Sequence, residues 1–364
     1  MKVKEICSFL DSAVPIAYQE NYDNSGLQAG DPESEVTSAL LALDATPEVI
    51  KEAAEKGCGI VITHHPVLFH PLRSLTGRSL AEKVVIEAVK NNIAIYSLHT
   101  NLDVFGSGVS RKMAEKLGLK DIRVMVPLEN KLIKLVTFVP VSHAEKVREA
   151  LFSAGAGVIG NYDLCSFNVE GFGTFRGSEH TNPFAGKKGE YHKEKEVRIE
   201  TILPSHLKNN VIQALLAAHP YEEVAYDIYP LMNEYTGAGS GCTGNLPEPL
   251  DENEFLKLVS DISGADRLKY SKPAKGRILK VALCGGAGGS FIPAAISSGA
   301  DAYITGEIRY HDFLDFGKSI MLVEIGHYES EISCLEILYE LIIKKFPKFA
   351  VRFSDINTNP INYF

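Results

Sequence analysis

The chain has 364 residues, more than one domain normally holds, so we expect two or three domains. Hydrophobic residues make up 45% and charged residues 23%, as in ordinary soluble globular proteins. The formal net charge of -9 argues against nonspecific nucleic-acid binding, because that activity needs a basic face.

The six cysteines are scattered and form no CxxC pair, so neither a disulfide framework nor a cysteine zinc site is indicated. Reduced thiols are typical of a cytoplasmic protein. The first six residues lack the apolar core of a signal peptide. No apolar run approaches the roughly 18 residues that a membrane span needs. We therefore expect a cytoplasmic protein without a membrane partner.

Residues 1–126 predict alternating strands and helices. Strands are predicted at 39–43, 59–63 and 93–98, and helices at 3–10, 47–56, 79–90 and 107–117. Thr46 followed by Pro47 is typical of a helix start, a capping threonine before proline at the first helical position. The alternation implies βαβ units and a mostly parallel sheet, in which ligands bind beyond the carboxyl ends of the strands.

The pattern of predicted secondary structure changes in residues 127–241. Strands are predicted at 132–139, 196–203 and 224–228, and helices at 143–154 and 205–218. A polar, glycine-rich stretch covers 171–189, and the glycines of 237–244 predict a flexible junction. This order indicates a small ferredoxin-like α+β domain.

Residues 242–364 resume the first pattern. Helices are predicted at 252–263 and 328–345, and strands at 278–283, 302–305 and 320–325. The fold class that follows is α/β: a discontinuous, mostly parallel-sheet core in two segments, 1–126 and 242–364, interrupted by an inserted ferredoxin-like domain at 127–241.

Two adjacent histidines, His64 and His65, directly follow the strand predicted at 59–63. Pro66 disfavours helical geometry at His65, so the chain leaves the strand extended and successive side chains point to opposite sides. The pair is therefore poorly suited to chelating one ion, but each imidazole could reach a different metal ion. The alternative is one buried, hydrogen-bonded histidine beside one exposed histidine.

Other residues of the types that bind metal ions follow other predicted strands. Asp103 comes after 93–98, whereas His327 and Glu331 come after 320–325 and are four residues apart on one helical face. Taken singly, His327 and Glu331 are more often a capping-region histidine and a first-turn acid. Together with His64 and His65, all at strand ends of one expected sheet, they suffice for two metal ions if a carboxylate or water bridges the ions.

As a set, the motifs at these strand ends resemble those of the GTP cyclohydrolase I type 2 homologues. This family is also called the Ngg-interacting-factor-like dinuclear-metal proteins. The matching motifs span both α/β segments in the family's order: YDNSGLQ at 22–28, THHP at 63–66, HTNLD at 99–103, TGE at 305–307 followed by His311, and GHYESE at 326–331. One departure is Tyr22, which stands where members often carry tryptophan.

The resemblance implies metal ligands at His64, His65, Asp103, His327 and Glu331. It also implies a toroidal homohexamer whose sites face an internal cavity, and an inserted domain similar to P-II and CutA proteins. The expected cofactors are two divalent ions per chain. Zinc, iron and manganese all remain open, because histidine and carboxylate ligands accept each of them.

Three more residues, His99, Glu307 and His311, are candidates for roles next to these ligands. A ligand histidine usually needs a partner for its second ring nitrogen, and Glu307 could be that partner. Glu307 and His311 are also the candidate catalytic residues, as general acids or bases, with structural support as the alternative for both. His99 is expected to support the ligands.

The glycine-rich segment CGGAGGS at 284–290 lies between a predicted strand and a predicted helix. Its backbone N–H groups could cradle a phosphate. It lacks the lysine of a P-loop and the acidic residue of a dinucleotide fingerprint, so a tight turn is the favoured interpretation. Cys284 has no base beside it in sequence and is rejected as a nucleophile.

The favoured function is a metal-dependent hydrolase with a two-metal site, acting on a nucleotide or related heterocycle. The alternative is a non-catalytic metal-storing, metal-delivering or regulatory module, for which a saturated metal site would be diagnostic. An adaptor for DNA or a transcription factor is disfavoured by the net charge. The expected partners are further copies of the chain and a small-molecule substrate, not a membrane or nucleic acid.

Overall fold

The computed structural model describes residues 1–274 and 276–364. Within these ranges the chain forms two compact units, one made of 1–126 and 238–364 and the other of 127–237. The chain is of the mixed α/β class, as the sequence predicts. None of the helices in the described ranges combines the length and the apolar character that crossing a bilayer requires.

The helices, in chain order, are α1 (Val3–Ala13), α2 (Pro47–Glu55), α3 (Leu80–Lys90), α4 (Thr100–Asp103), α5 (Val109–Lys116), α6 (Ala144–Ser153), α7 (Lys208–Ala218), α8 (Glu252–Ser263), α9 (Ile292–Ser297), α10 (Tyr310–Phe316), α11 (His327–Glu331) and α12 (Cys334–Lys345). The strands are β1 (Gly26–Ala29), β2 (Ser38–Ala42), β3 (Ile60–Thr63), β4 (Ala94–Ser97), β5 (Lys120–Leu128), β6 (Leu132–Pro140), β7 (Phe167–Arg176), β8 (Tyr191–Pro204), β9 (Tyr226–Leu231), β10 (Tyr235–Leu250), β11 (Lys269–Tyr270), β12 (Ile278–Cys284), β13 (Ala302–Thr305), β14 (Met321–Glu324) and β15 (Ala350–Phe353).

The larger unit contains two sheets, so the expectation of one sheet is wrong. The first has the order β1-β4-β3-β2-β15, in which only β1 is antiparallel to its neighbour. The second has the order β11-β14-β13-β12-β10-β5, with a parallel centre of β12, β13 and β14. Alternating strands and helices predict parallel pairing within each segment, but they do not determine whether two segments continue one sheet.

The parallel strands of both sheets are covered by helices on both faces. In the first sheet, α1 and α12 pack on one face and α2 and α3 on the other. In the second, α5 and α8 pack on one face and α9 and α10 on the other. Strands buried on both sides read as continuous apolar runs, which is why β2, β3 and β4 could be located from sequence.

Helices α2 and α8 each begin at a side-chain cap, and the sequence predicts the cap of α2. The Thr46 hydroxyl accepts a hydrogen bond from the Val49 amide (3.3 Å), and Pro47 occupies the first position of α2. Asp251 caps α8 in a reciprocal arrangement with Glu254. These caps fix where each helix begins relative to the strand before it.

The smaller unit is a four-stranded antiparallel sheet of order β7-β8-β6-β9. Its elements follow the order strand, helix, strand, strand, helix, strand. Helices α6 and α7 pack on one face through Val147, Leu151, Val211 and Leu215. Alternate residues of β8, such as Glu196 and Arg198, therefore project from the opposite face.

Two glycine-rich segments differ from their predicted state. Residues 167–176 form strand β7, although 171–189 reads as a polar, glycine-rich stretch, and 235–250 form strand β10, although 237–244 reads as a flexible junction. Glycine has no side chain, so it hides the period-two pattern that marks a strand. Backbone pairing holds both segments, for example Gly171 opposite Glu196 and Cys242 opposite Leu283.

Candidate metal centre

The strand ends of both sheets supply the metal-ligand side chains. His64 and His65 directly follow β3, Asp103 ends the short helix α4 after β4, and His327 begins α11 after β14. In parallel sheets the carboxyl ends of the strands are where ligands gather. Here two such ends, one from each sheet of the larger unit, face the same point.

Three overlapping groups have potential ligand atoms within 4.8 Å of one another: His64, His65 and His99; His65, His327 and Glu331; and His64, Asp103 and Glu331. Glu331 is shared by the last two groups and is only 2% exposed. Its Oε2 lies 3.0 Å from His65 Nε2, 3.1 Å from His327 Nε2 and 3.8 Å from His64 Nε2. The other four residues implied as ligands thus surround the buried carboxylate of Glu331.

Each histidine of these groups has its Nδ1 held by an oxygen atom. The partners are Leu98 O for His64 (2.8 Å), Asp44 Oδ1 for His65 (2.7 Å), Asp23 Oδ1 for His99 (2.8 Å) and Glu307 Oε1 for His327 (2.7 Å). A carbonyl or carboxylate oxygen only accepts, so each Nδ1 donates its proton. In the neutral form of each imidazole, Nε2 then carries the lone pair that can bind a metal ion, which is the usual arrangement of metal-binding histidines.

His64 Nε2 and Asp103 Oδ1 show that the centre fits a cation. Both atoms are buried without a hydrogen-bond partner, and they lie 3.4 Å apart. Two acceptors facing each other in a buried site are unfavourable unless a cation lies between them. Imidazole nitrogens and carboxylate oxygens are ligands for zinc, iron and manganese, so the donor set also fits a divalent metal.

The electrostatics of the centre also favour a bound cation. Burial alone would lower the pKa of His64, but the negative charges around it, chiefly Asp103, hold that pKa well above its usual range. Burial would raise the pKa of Glu331, but the imidazoles of His64 and His327 hold it well below its usual range. The hydrogen bond to Glu331 raises the pKa of His327 to about 9. A field that stabilises positive charge at the imidazoles also stabilises a bound cation.

The glycine-rich loop 284–290 provides space for Glu331. A Cβ at Gly286 would lie 2.2 Å from Glu331 Oε1. Three loop amides, those of Gly285, Gly286 and Gly288, donate to the hydroxyls of Ser110 (3.2 Å), Ser330 (2.9 Å) and Thr305 (3.0 Å). Because side chains of the protein use these amides, the structure favours the tight-turn interpretation over a phosphate cradle.

Comparison with known proteins identifies the family. The sequence model described as Duf34/NIF3 (NGG1p interacting factor 3) matches residues 1–360. The chain belongs to the Duf34/NIF3 family. The resemblance inferred from the strand-end motifs is therefore confirmed.

Relatives of this Duf34/NIF3 chain match it along nearly its whole length. A protein of Halalkalibacterium halodurans named "GTP cyclohydrolase 1 type 2 homolog" is 40% identical over 348 residues, which is 94% of this chain and 93% of the relative. One of the same name from Bacillus subtilis is 35% identical over 367 residues, 99% of this chain and 98% of the relative. The crystal structure of a Bacillus cereus protein related to NIF3 has a TM-score of 0.88 and 38% identity, covering 100% of this chain and 99% of that one.

The remaining sequence candidates of the Duf34/NIF3 chain, Glu307, His99 and His311, differ in how they relate to the metal centre. Glu307, with a side chain 60% exposed, bonds to His327 Nδ1 and so orients that imidazole. His99 joins a potential ligand group with His64 and His65, and its supporting role stays a prediction. His311, on α10, is exposed with its ring beside Tyr310, and it belongs to none of the three groups. The catalytic roles of Glu307 and His311 stay predictions.

Sequence reasoning missed the roles of Asp44, the partner of His65, and of Thr358, the partner of Asp44. Asp44 follows β2 at the same sheet edge as His64, so the strand-end rule could have found it. Thr358 donates its hydroxyl to Asp44 Oδ2 (2.7 Å) across 314 positions of sequence. No local pattern marks Thr358, because its role depends on where the C-terminal segment lies.

Proposed function

We propose that this Duf34/NIF3 protein holds two divalent metal ions around Glu331 and is a metal-dependent hydrolase. The observation that carries the proposal is the convergence of three imidazole Nε2 atoms on Glu331 Oε2 beside the unsatisfied Asp103 Oδ1. One ion would be held by His64, Asp103 and Glu331, and the other by His65, His327 and Glu331, with Glu331 shared. Two-metal hydrolytic sites use such a shared ligand.

When bound, ions of this kind supply Lewis acidity and make water acidic enough to act as a nucleophile near neutral pH. The chain's own residues supply orientation. Asp44 and Glu307 hold the Nδ1 protons of His65 and His327, which fixes the direction of both Nε2 lone pairs. His64 is fully buried, whereas His65 and His327 are only partly buried, so the centre is accessible to a substrate on their side.

The proposed substrate class is a nucleotide or a related heterocycle. Support comes from the relatives, which carry the name "GTP cyclohydrolase 1 type 2 homolog". Glu307 is the residue we propose for proton transfer, because its exposed carboxylate can take a proton while it remains hydrogen-bonded to His327. The loop 284–290 has no assigned role in holding a phosphate.

Metal reconstitution tests the proposal. Purified protein is analysed for zinc, iron and manganese, stripped with a chelator and reloaded with each metal. Each form is then assayed for hydrolysis of a panel of nucleotides and phosphoesters. We expect turnover that disappears on stripping, returns on reloading and is lost in Glu331→Gln. Glu329→Gln is the matched control, because Glu329 lies on the same helix outside the three groups.

The outcomes separate the candidate functions. Metal binding without turnover on any member of the panel would favour the non-catalytic metal-binding module. Wild-type protein that binds no metal, or Glu331→Gln protein that binds as much as wild type, would overturn the metal centre itself.

A further inference from the structure

The smaller unit contains a cavity of about 800 Å³ that the proposed function does not use. It lies at strands β7 and β8, on the sheet face opposite α6 and α7, and segments 177–184 and 221–225 contribute its rim. The Asn182 amide donates to Glu222 Oε1 (2.8 Å), which ties the two rim segments together. This volume is within the range of small-molecule sites.

A buried carboxylate, Glu196, lines this cavity and is only 7% exposed. Its Oε1 accepts a hydrogen bond from the Tyr221 hydroxyl (2.7 Å), a neutral donor. Among the described residues, Glu196 takes part in none of the ion pairs within 4 Å, whereas its strand neighbours Glu194 and Glu200 each have a partner. A buried carboxylate without a cation is costly, so the site favours a positively charged ligand.

His219, next to Tyr221 in the fold, does not supply that charge. Its Nε2 lies 3.0 Å from the Phe138 carbonyl, to which it donates, and its Nδ1 accepts from the Tyr221 amide (3.1 Å). One donated and one accepted hydrogen bond define the neutral imidazole. Burial also lowers the pKa of His219.

Two glycines of β7 shape the cavity next to Glu196. A Cβ at Gly173 would lie 2.1 Å from Glu196 Oε2, so the carboxylate can occupy its position only because residue 173 has no side chain. A Cβ at Gly171 would have nothing within 4 Å, so this position is open space. Side chains at both positions would project from the same face of the sheet as Glu196.

Aromatic rings form the other walls. The ring centroids of Phe175 and Phe184 both lie 6.1 Å from that of Tyr221, and Phe138 also lines the cavity. The faces of such rings attract cations, most strongly where water is excluded. Two arginines also line the cavity, Arg176 and Arg198. Arg198 is exposed and paired with Glu200 (2.9 Å), so its charge is already compensated. Arg176 is exposed at the end of β7, where its side chain projects from the sheet face opposite to that of Glu196.

We propose that this cavity binds a primary amine with an aromatic body. The ammonium group donates to Glu196 and to the Tyr221 oxygen, and the body packs against Phe138, Phe175 and Phe184. A protonated amine satisfies Glu196 with both charge and hydrogen-bond donors, which a neutral or anionic ligand of the same shape cannot do. The site is separate from the metal centre and does not depend on the proposed hydrolase function.

Tryptamine is a suitable probe because the chain contains no tryptophan. Its indole fluorescence can be excited without emission from protein tryptophan, so anisotropy reports binding to the full chain directly. Tryptophol and indole-3-propionate are the neutral and anionic probes of the same ring system. We expect saturable binding of tryptamine, with roughly ten- to a hundredfold weaker binding of the other two, the ratio for a charge-assisted hydrogen bond.

Three variants test the assignment to Glu196 and to this cavity. Glu196→Gln should weaken tryptamine binding by roughly ten- to a hundredfold and bring it level with tryptophol. Glu194→Gln, which changes a carboxylate on the same strand that pairs with His192 and does not line the cavity, should bind like wild type. Gly171→Leu should block all three probes by filling the open space. It retains Glu196, so it decides the question if Glu196→Gln fails to fold.

Equal binding of the three probes would overturn the proposal, since the apolar walls would then determine the affinity. Tighter binding of indole-3-propionate would also overturn it, since the arginines would then determine the affinity. Absence of tryptamine binding at millimolar concentration would also overturn it, as would unchanged binding in Gly171→Leu.

Discussion

Removing the Thr358 hydroxyl tests whether the C-terminal segment supports the metal centre. Thr358 donates to Asp44 Oδ2 (2.7 Å), Asp44 Oδ1 accepts from His65 Nδ1 (2.7 Å), and His65 Nε2 lies 3.0 Å from Glu331. Thr358→Val keeps the shape of the side chain but removes the donor. Loss of a partner that orients a metal ligand typically lowers metal affinity by about 10- to 100-fold.

The expected loss for Thr358→Val is at the lower end, about tenfold, because Thr358 is only partly buried and water can replace its hydroxyl. Asp44→Asn, which removes the charge next to His65, should lose about 100-fold. Zinc affinity is measured by competition with a chromophoric chelator on stripped protein.

Asn359→Ala is the matched control for this series. Asn359 donates to Glu329 (2.8 Å), so its loss loosens the same segment without touching Asp44. A loss of affinity in Asn359→Ala equal to that in Thr358→Val would refute the reasoning, because it would assign the effect to detachment of the segment. Wild-type affinity in Asp44→Asn would refute it as well.

Three further outcomes are expected. Gly286→Ala should lower metal content without removing a ligand, because its Cβ would lie 2.2 Å from Glu331 Oε1. Gly264→Ala, at a similar positive φ but with nothing within 4 Å of its Cβ, should leave metal content unchanged. Elemental analysis compares the metal content of the two variants. Hydrogen bonds from the Arg78 and Thr76 amides lower the pKa of Glu82 to about 2, so its stabilising effect is complete above pH 4.5 and is lost as the pH falls from 4.5 towards 2. The difference in Tm between wild type and Glu82→Gln should shrink over that range, and a constant difference would contradict this account. Light scattering should give a mass six times that of the 39.8 kDa chain if the protein is the homohexamer expected from its family, and a monomer mass would contradict that expectation.

The sequence predicts the strand ends well because their signal is local. Strand β3 is a continuous apolar run that ends at Thr63, and the two histidines follow directly. The spacing of His327 and Glu331 places both on one face of α11, where their side-chain atoms lie 3.1 Å apart. These features depend on residues a few positions apart, so period and spacing are enough to find them.

What the sequence did not predict depends on distant parts of the chain. The ligands come from two sheets because β14 pairs with β13 in the second sheet, whereas β3 and β4 pair in the first. The pairing of β15 with β2 joins the C-terminal segment to the first sheet. The same segment brings Thr358 to Asp44. Strand β7 was missed because Gly171 and Gly173 lack the side chains that would show alternation, and these are the positions that leave room next to Glu196.

The central claim is that Glu331 is shared by two metal positions, and metal content per chain tests it most directly. Elemental analysis should give about two ions per chain for wild type and about one for Asp103→Asn and for His327→Ala. Glu331→Gln should retain well below one ion per chain. Asp103 and His327 each belong to one ligand group, whereas Glu331 belongs to both. Glu331→Gln protein that keeps as much metal as wild type would contradict the account.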